Sequence, residues 1–230
     1  MLKYWPSYVD FKIGWSSGNY VFRPIDRLYE ALTYSEIHQA TIYSNTQLVQ
    51  KMLFKHQETN KYTGAVEKEA LVHVTFDADL SGVLQVDVDL DSLPNVYLDG
   101  YEVIVQFQAH DFDNNSTFYT DSNGLEMQKR VLNYRSYYNI TEKILSQTNV
   151  NITSNYYPIN SAIALKDSSQ NLQFTVSNSR AQGGSALNPG QIELMQNRRI
   201  PNDDQKGEGE FMNETDAYGF GIRVPATYFV

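Results

Sequence analysis

The residues best suited to chemistry lie in residues 182–207, which carry more turn residues and more clustered charge than any other segment. Near the end of this segment, Arg198 and Arg199 are followed closely by Asp203, Asp204 and Lys206. The two acids can pair with Lys206 or Arg199 and so brace a loop, although a solvated charge cluster gives the same pattern. We assign neither acid a catalytic role and expect them, with Arg199, to support the loop.

The elements around this loop must bring it to the edge of a sheet. A turn is predicted at Asn188-Pro189-Gly190, where proline fixes φ and glycine can supply a positive φ. The apolar run IELM follows at residues 192–195 and ends before the two arginines. A short apolar run between turns predicts a buried strand. This strand would deliver the charged loop to one edge of a sheet.

The histidines stand outside the common zinc motifs. None lies in an H-x-D or H-E-x-x-H context, and zinc needs three or four convergent ligands. The chain has no cysteine, so a thiolate ligand, a thiol nucleophile and a disulfide are excluded within it. We therefore predict no metal site in this chain and interpret the histidines as structural residues. They are His38, His56, His73 and His110.

An acidic repeat at Asp87, Asp89 and Asp91 imitates the start of a calcium loop. Ser92 stands where that loop requires glycine, and Leu98 stands where it requires glutamate. Apolar residues alternate with the acids, which is typical of a strand with one solvated face. The repeat therefore predicts a strand rather than a calcium site.

Composition and charge exclude several classes of function. The net charge of −9 and the sequence pI near 4.9 argue against binding to nucleic-acid phosphates, which needs clustered lysine and arginine. No stretch of 18 apolar residues occurs, so the sequence predicts no membrane segment in this chain. The 17 tyrosines and 11 phenylalanines favour sheet, because aromatic side chains suit a half-buried pleated surface.

Short alternating runs separated by turns predict an all-β protein with little helix. Residues 39–57, 69–91 and 103–107 carry the clearest strand patterns, and residues 118–130 form a hairpin signal that turns at Asn123-Gly124. No linker divides the chain, so residues 1–230 are expected to form a single antiparallel β-sandwich domain.

The remaining segments are assigned from weaker patterns. We expect residues 1–24 to form a hairpin that includes the run at residues 20–22 as a strand, and residues 25–37 to form a loop. Residues 131–153 are polar and rich in tyrosine, which indicates an extended excursion. Strands are predicted at residues 159–165 and 172–176, and a last strand at residues 220–230.

N-x-S/T sequons occur somewhat more often than the roughly two or three that chance would give. We expect the protein to pass through the secretory pathway to a lysosome, vacuole or Golgi lumen, or to be secreted, with a targeting signal outside this chain. The glycosylation candidates are Asn114, Asn115, Asn139, Asn151 and Asn213.

Four ordered sequence blocks resemble glycoside hydrolase family 38, the class II α-mannosidases of lysosome and Golgi. The longest is residues 182–207, which reads QGGSALNPGQIELMQNRRIPNDDQKG. The others are SGNYVFRP at residues 17–24, FYTDSNG at residues 118–124 and NYYP at residues 155–158. Because the blocks keep one order from residue 17 to residue 207, the resemblance covers most of the chain.

The resemblance implies a C-terminal β-domain, a large antiparallel sandwich of the galactose-mutarotase-like supersandwich type, packed against a separate N-terminal catalytic domain. Family members hold zinc and both catalytic carboxylates in that other domain, so we expect no catalytic residue here. Tyr20 matches a tyrosine that contacts the bound sugar, although it can also be one more strand aromatic. Lys206 lies where relatives usually carry a substrate-contacting arginine, and lysine lacks the bidentate fork of arginine.

We therefore expect this chain to be the C-terminal domain of a retaining α-mannosidase that hydrolyses terminal α-D-mannosyl residues of N-glycans. The chain would form one wall of the sugar pocket and would be inactive alone. We also expect it to be truncated at both ends in comparison with the family's C-terminal domains. The alternative is a non-catalytic carbohydrate-binding β-sandwich module that stacks sugars on exposed tyrosines.

Overall fold

Two large antiparallel sheets form the described part of the chain. The computed structural model describes residues 2–6, 9–10, 15–16, 18–22, 32–33, 37–46, 49–59, 66–80, 82–93, 100–137, 150–204, 206–207 and 209–230. Within these residues every strand pairing is antiparallel. The one α-helix among them is the short α1 (Val150–Thr153), and a 3-10 turn spans Ala78–Leu80. The predicted all-β class and antiparallel sandwich are confirmed.

The larger sheet has nine strands among the described residues. Its strands, in spatial order, are β11 (Glu126–Val131), β10 (Thr117–Ser122), β13 (Ala162–Asp167), β14 (Leu172–Asn178), β17 (Ala226–Phe229), β8 (Leu84–Leu90), β7 (Val66–Asp77), β6 (Val49–Thr59) and β5 (Ile37–Asn45). In β8 Val86, Val88 and Leu90 are buried and the acids lie on the other face, as the alternation predicted. Asp87 accepts a hydrogen bond from Thr227, and Asp89 pairs with Arg223, so the acidic repeat serves the sheet.

The smaller sheet has six strands within the same described ranges. In spatial order they are β12 (Tyr157–Ile159), β15 (Gln182–Ser185), β16 (Gln191–Arg199), β9 (Tyr101–Gln108), β1 (Leu2–Pro6) and β4 (Leu32–Thr33). A separate small hairpin joins β2 (Val9–Asp10) to β3 (Trp15–Ser16). The buried strand predicted at residues 192–195 is β16, and a bulge between Met195 and Asn197 shifts its register against β9.

The core lies between the two sheets. One cluster of buried side chains joins Val103 and Leu194 of the six-stranded sheet to Val88, Ile163 and Tyr228 of the nine-stranded sheet. Burying such side chains contributes about 1.5–3 kcal/mol each relative to exposure. Consecutive residues of β9 point to opposite faces, so the opposite face of β9 carries Glu102, Ile104 and Gln106, which are buried as well. β9 is therefore covered on both faces.

Three predicted elements differ from the structure. β1 pairs with β9 and β4, so residues 1–24 do not form a single hairpin. Tyr20 and its neighbours form a turn in which the Val21 N–H donates to the Gly18 carbonyl at 3.2 Å. The last strand is only β17, because Asp216 accepts the N–H groups of Tyr218 and Phe220 and holds the preceding residues in a turn.

Two predicted segments lie partly outside the described residues. Within the predicted loop at residues 25–37, the described residues include β4, so a strand stands where the loop was predicted. Residues 138–149 of the predicted polar excursion lie outside the described residues, and the excursion ends in α1.

Candidate functional site

Three of the sequence blocks meet at one groove of about 430 Å³ on the outer face of the six-stranded sheet. The first block supplies Tyr20 and Phe22, and the NYYP block supplies residues 156–158. Met195 and Arg198 of β16 complete the groove, together with Gln182 and Gly183 at the start of β15. Segments that are far apart in the chain therefore form a single surface feature, which we call the groove.

Arg198 fixes the loop that carries Tyr20. Arg198 lies opposite Glu102 in the register of β16 and β9, and its Nε and Nη2 donate to the two Glu102 oxygens at 2.5 and 2.8 Å. The remaining Arg198 donors reach the carbonyls of Asn19 and Val21 at 2.5 and 2.6 Å. Glu102 is fully buried, so a bidentate pair with additional hydrogen bonds is the arrangement that such a charge requires. The Asn19 and Val21 carbonyls thus accept hydrogen bonds from the Arg198 side chain instead of from a neighbouring strand.

Tyr20 joins this loop to the charged loop that follows β16. The Tyr20 hydroxyl donates to Asp204 Oδ2, and the Lys206 N–H donates to Asp204 Oδ1 at 3.1 Å. A Cβ at Gly18 would lie 2.9 Å from Asp204 Oδ2 and even closer to the Tyr20 ring, so only glycine fits this approach. Tyr20 remains 59% exposed, so much of its ring is available to a ligand. The structure therefore brings Tyr20, Asp204 and Lys206 together.

The floor of the groove combines an aromatic pair with a buried carboxylate. The rings of Phe22 and Tyr156 pack with centroids 4.5 Å apart over Ile104. The Tyr156 hydroxyl donates to Glu193 Oε1, and Gln106 Nε2 donates to Glu193 Oε2 at 2.8 Å. Desolvation and the adjacent Glu193 carboxylate raise the pKa of Tyr156 well above its ordinary value, so the phenol stays protonated. The sequence analysis missed this group; the signal was a glutamate inside the apolar run of β16.

The QGGS block contains glycines because β15 lies against large side chains. A Cβ at Gly184 would meet Ile159 and Leu194 at 2.8 Å and the Glu193 carbonyl at 3.1 Å. Beside it, Ser185 donates to the Asn155 carbonyl at 2.7 Å and ties β15 to the NYYP block. Because Gly184 has no side chain, β15, whose Gln182 and Gly183 line the groove, packs directly against β16.

The structure corrects the role expected of Arg199. Neighbouring residues of a strand point to opposite faces, and Arg199 is directed away from Arg198. It is 4% exposed, and it donates to Asn213 Oδ1 at 2.7 Å and to the Leu93 carbonyl at 2.5 Å. Arg199 therefore holds residues 93 and 213 together and does not brace the loop that contains Asp203 and Asp204.

The NYYP block is positioned by Asp121 of the FYTDSNG block. Asp121 Oδ1 accepts the N–H groups of Asn160, Ser161 and Ala162 at 2.8–3.3 Å, and Oδ2 accepts that of Gly124 at 2.8 Å. Burial of Asp121 acts to raise its pKa, but these backbone donors outweigh it and lower the pKa below the ordinary 3.8. Asp121 therefore remains ionised and fixes the turn after β12.

The glycosylation candidates differ in accessibility. Asn114 is 3% exposed, donates to the Thr117 carbonyl at 2.9 Å and accepts the Gly190 N–H at 2.9 Å. Asn115 is exposed, and Asn213 is partly exposed and bonded to Arg199. Asn139 and the side chain of Asn151 lie outside the described residues.

No three His, Cys, Asp or Glu side chains converge on a possible metal position in the part of the chain that the structure describes. The described residues also contain no helix with the length and apolar character needed to cross a membrane.

Comparison with known proteins gives one consistent family. The family description "Glycosyl hydrolases family 38 C-terminal domain" matches residues 8–206. An α-mannosidase of Arabidopsis thaliana is 34% identical over 204 residues, which is 87% of this chain and 17% of that protein. The lysosomal α-mannosidases of Dictyostelium discoideum and Homo sapiens are 41% and 39% identical over 99 and 131 residues. These two matches cover 43% and 57% of this chain and 9% and 12% of the relatives.

The relatives are far longer than the matched region, so the chain spans less than a fifth of the length of each of these three proteins. Among solved structures, a galactose mutarotase related enzyme from Lactobacillus acidophilus superposes with a TM-score of 0.36 and 10% identity. That superposition covers 84% of this chain and 70% of the other.

Proposed function

Because the chain belongs to the glycosyl hydrolases family 38 C-terminal domain family, we propose that it forms one wall of the sugar pocket of an α-mannosidase. The substrate would be a terminal α-D-mannosyl residue of an N-glycan or oligomannoside. The relatives named as α-mannosidases support the activity at the level of the family. The N-terminal part of the same protein would be the partner that completes the pocket.

One observation carries this proposal: the hydrogen bond from Tyr20 to Asp204, which joins two loops 184 residues apart at the groove. The Tyr20 hydroxyl and the backbone N–H of Lys206, the two residues that the family resemblance assigns to the sugar, both donate to the Asp204 carboxylate. A partly exposed aromatic ring beside a fixed polar group is suited to a sugar, which offers an apolar face and hydroxyl edges.

The carboxylates at the groove are suited to positioning rather than to attack. A retaining glycosidase needs two carboxyl groups about 5 Å apart that reach the glycosidic bond, one as nucleophile and one as acid and base. Glu102 is bound on both oxygens by Arg198, and Glu193 is bound by Tyr156 and Gln106. We infer that the nucleophile and the acid belong to another part of the protein, and that this chain orients the sugar.

The zinc on which the family's α-mannosidases generally depend would bind sugar hydroxyls near the reacting carbon. The described residues offer no set of three convergent ligands, so they do not fit such a site. We propose that its ligands lie in the catalytic part of the protein.

We also propose a lysosomal, vacuolar, Golgi or secreted location. The lysosomal α-mannosidases among the relatives support it, and the exposed Asn115 offers a glycan acceptor.

The proposed function is tested in the complete enzyme with Lys206→Ala and the control Lys166→Ala. Lys166 is also exposed, but it lies over the Tyr119 ring, whereas the Lys206 N–H donates to Asp204, the partner of Tyr20. We expect Lys206→Ala to raise KM for an α-mannoside several-fold and Lys166→Ala to leave it unchanged. Equal KM values for both variants would remove Lys206 from the site, and mannose release by the 230-residue chain alone would overturn the division of roles.

A further inference from the structure

Two arginines meet over one tyrosine ring next to the groove. The guanidinium carbons of Arg130 and Arg135 lie 4.2 and 4.9 Å from the centroid of the Tyr157 ring. Together with Tyr134 and Tyr137 they line a cavity of about 410 Å³. We call these five residues the arginine cluster. Tyr157 lines both this cavity and the groove, so the two are contiguous.

The cluster lies where edge strands of the two sheets meet. Arg130 belongs to β11, at one edge of the nine-stranded sheet, and Tyr157 opens β12, at one edge of the six-stranded sheet. The buried Phe118 packs edge to face against Tyr157, with centroids 5.7 Å apart. Both sheets therefore support the ring, and the positions of the guanidinium groups are set by the fold.

Among the described residues, no carboxylate pairs with the positive charge of the cluster. Arg130 donates from Nε to Thr120 Oγ1 at 3.0 Å. Arg135 donates to the carbonyls of Tyr134 and Ser154. Neither arginine forms an ion pair with any acid in the described ranges, although the chain carries 27 acidic residues against 18 basic ones. Both Nη atoms of Arg130 thus keep their donors for a ligand.

A guanidinium group with free N–H donors binds oxyanions in bidentate geometry, and phosphate and carboxylate groups match that fork. Exposed tyrosines beside it add flat surfaces for a sugar ring: Tyr134 is 58% exposed and Tyr137 is 87% exposed. Neutral mannosides would use the aromatic surface but leave both cations without a counter-charge. The cluster therefore favours a sugar that carries a negative charge.

We propose that the arginine cluster is a subsite for an anionic substituent, a phosphate or a carboxylate, on the glycan that occupies the groove. This inference rests on the proposed sugar-binding function and adds a charge preference to it. Arg130 is the principal ligand to the anion, and Arg135 positions the Tyr157 platform through its backbone contacts.

The test measures binding of four probes to the complete enzyme by calorimetry at low ionic strength: methyl α-mannoside, mannose 6-phosphate, glucuronate and inorganic phosphate. Each is measured for the wild type, Arg130→Gln and Arg223→Gln. Arg223 is a matched control because it is a partly exposed arginine already paired with Asp89 at 2.8 Å. Circular dichroism of each variant establishes that it is folded.

We expect at least one charged sugar to bind at least tenfold more tightly than methyl α-mannoside, with Arg130→Gln removing that gain and Arg223→Gln preserving it. The charged sugar that binds more tightly identifies phosphate or carboxylate as the anion, and raised salt should weaken its binding. Equal affinities for charged and neutral sugars overturn the subsite but leave the proposed function intact. Inorganic phosphate that binds as tightly as mannose 6-phosphate overturns the assignment to a sugar. If no sugar binds at all, both the anionic subsite and the proposed sugar-binding role of the groove are overturned.

Discussion

Arg198 and Glu102 face each other across β16 and β9 and form a bidentate ion pair, with 12% and 0% of their side chains exposed. Arg198 also holds two backbone carbonyls of the loop that carries Tyr20. The pair therefore links the interior of the six-stranded sheet to the groove. Removing either partner would leave an uncompensated charge inside the protein and release the loop.

Glu102→Ala should destabilise the chain by about 3–5 kcal/mol, because breaking a buried ion pair leaves the partner charge desolvated. Urea unfolding of both proteins measures the difference. The matched control is Asp89→Ala, which removes the exposed partner of Arg223, with 39% of the Asp89 side chain accessible. That change should cost less than about 1 kcal/mol. Similar losses from the two variants would show that the Glu102 pair is solvated.

Tyr20→Phe and Asp204→Asn should each raise KM for an α-mannoside in the complete enzyme by about tenfold, the effect of losing one well-placed hydrogen bond. Because the two side chains act as one unit through their hydrogen bond, the KM of the double variant should not exceed that of the more impaired single variant. Tyr218→Phe is the control, since Tyr218 is 86% exposed and lies outside the groove lining. Additive effects would mean that Tyr20 and Asp204 act separately.

Acid should destabilise the protein partly through Asp121. Its folded-state pKa lies below the ordinary 3.8, so its contribution to stability is complete above the unfolded pKa and is lost as the pH falls through the folded one. Asp121→Asn should therefore lower Tm near neutral pH and reduce the further fall in Tm below about pH 4. Asp79→Asn, which removes an exposed carboxyl group, is the control. If the Tm of Asp121→Asn fell with pH as steeply as that of the wild type, the role of the backbone donors would be contradicted.

The overlapping sequons at Asn114 and Asn115 should behave differently after expression in a glycosylating host. Asn115→Gln should abolish the glycan at this position, detected as a mass loss in the corresponding peptide, because Asn115 is exposed. Asn114→Gln should keep the glycan but destabilise the fold by about 1–3 kcal/mol, since its amide links Thr117 to Gly190 inside the protein. A glycan found on Asn114 would contradict this assignment.

Much of the sheet structure was predictable because apolar and polar residues alternate along a strand that has one buried face. Residues 84–90 show this directly, since apolar and acidic residues alternate there and only the apolar ones are buried. Residues 103–107 were also predicted as a strand, but the alternation of Val103, Val105 and Phe107 gives no sign that both faces of β9 are covered. The Tyr20 turn was predicted as a strand because its apolar residues resemble one; only the distant Arg198 shows why its carbonyls need no neighbouring strand.

The site was predictable where a block matched a family and was not where it depended on register. Tyr20, Asp204 and Lys206 were singled out from their blocks and lie together. Arg198 and Arg199 were indistinguishable as neighbours in the sequence, because the bulge after Met195 decides which face each arginine occupies. Glu102 and Glu193 were missed because the pairing that buries them joins strands about 90 residues apart.

Arg198 holds the Tyr20 loop through hydrogen bonds to backbone carbonyl oxygens, which every amino acid possesses. The side chains at positions 19 and 21 are therefore free to vary without loosening the anchor. Substitutions at these two positions can therefore accumulate one at a time while the attachment of the Tyr20 loop to Arg198 stays constant.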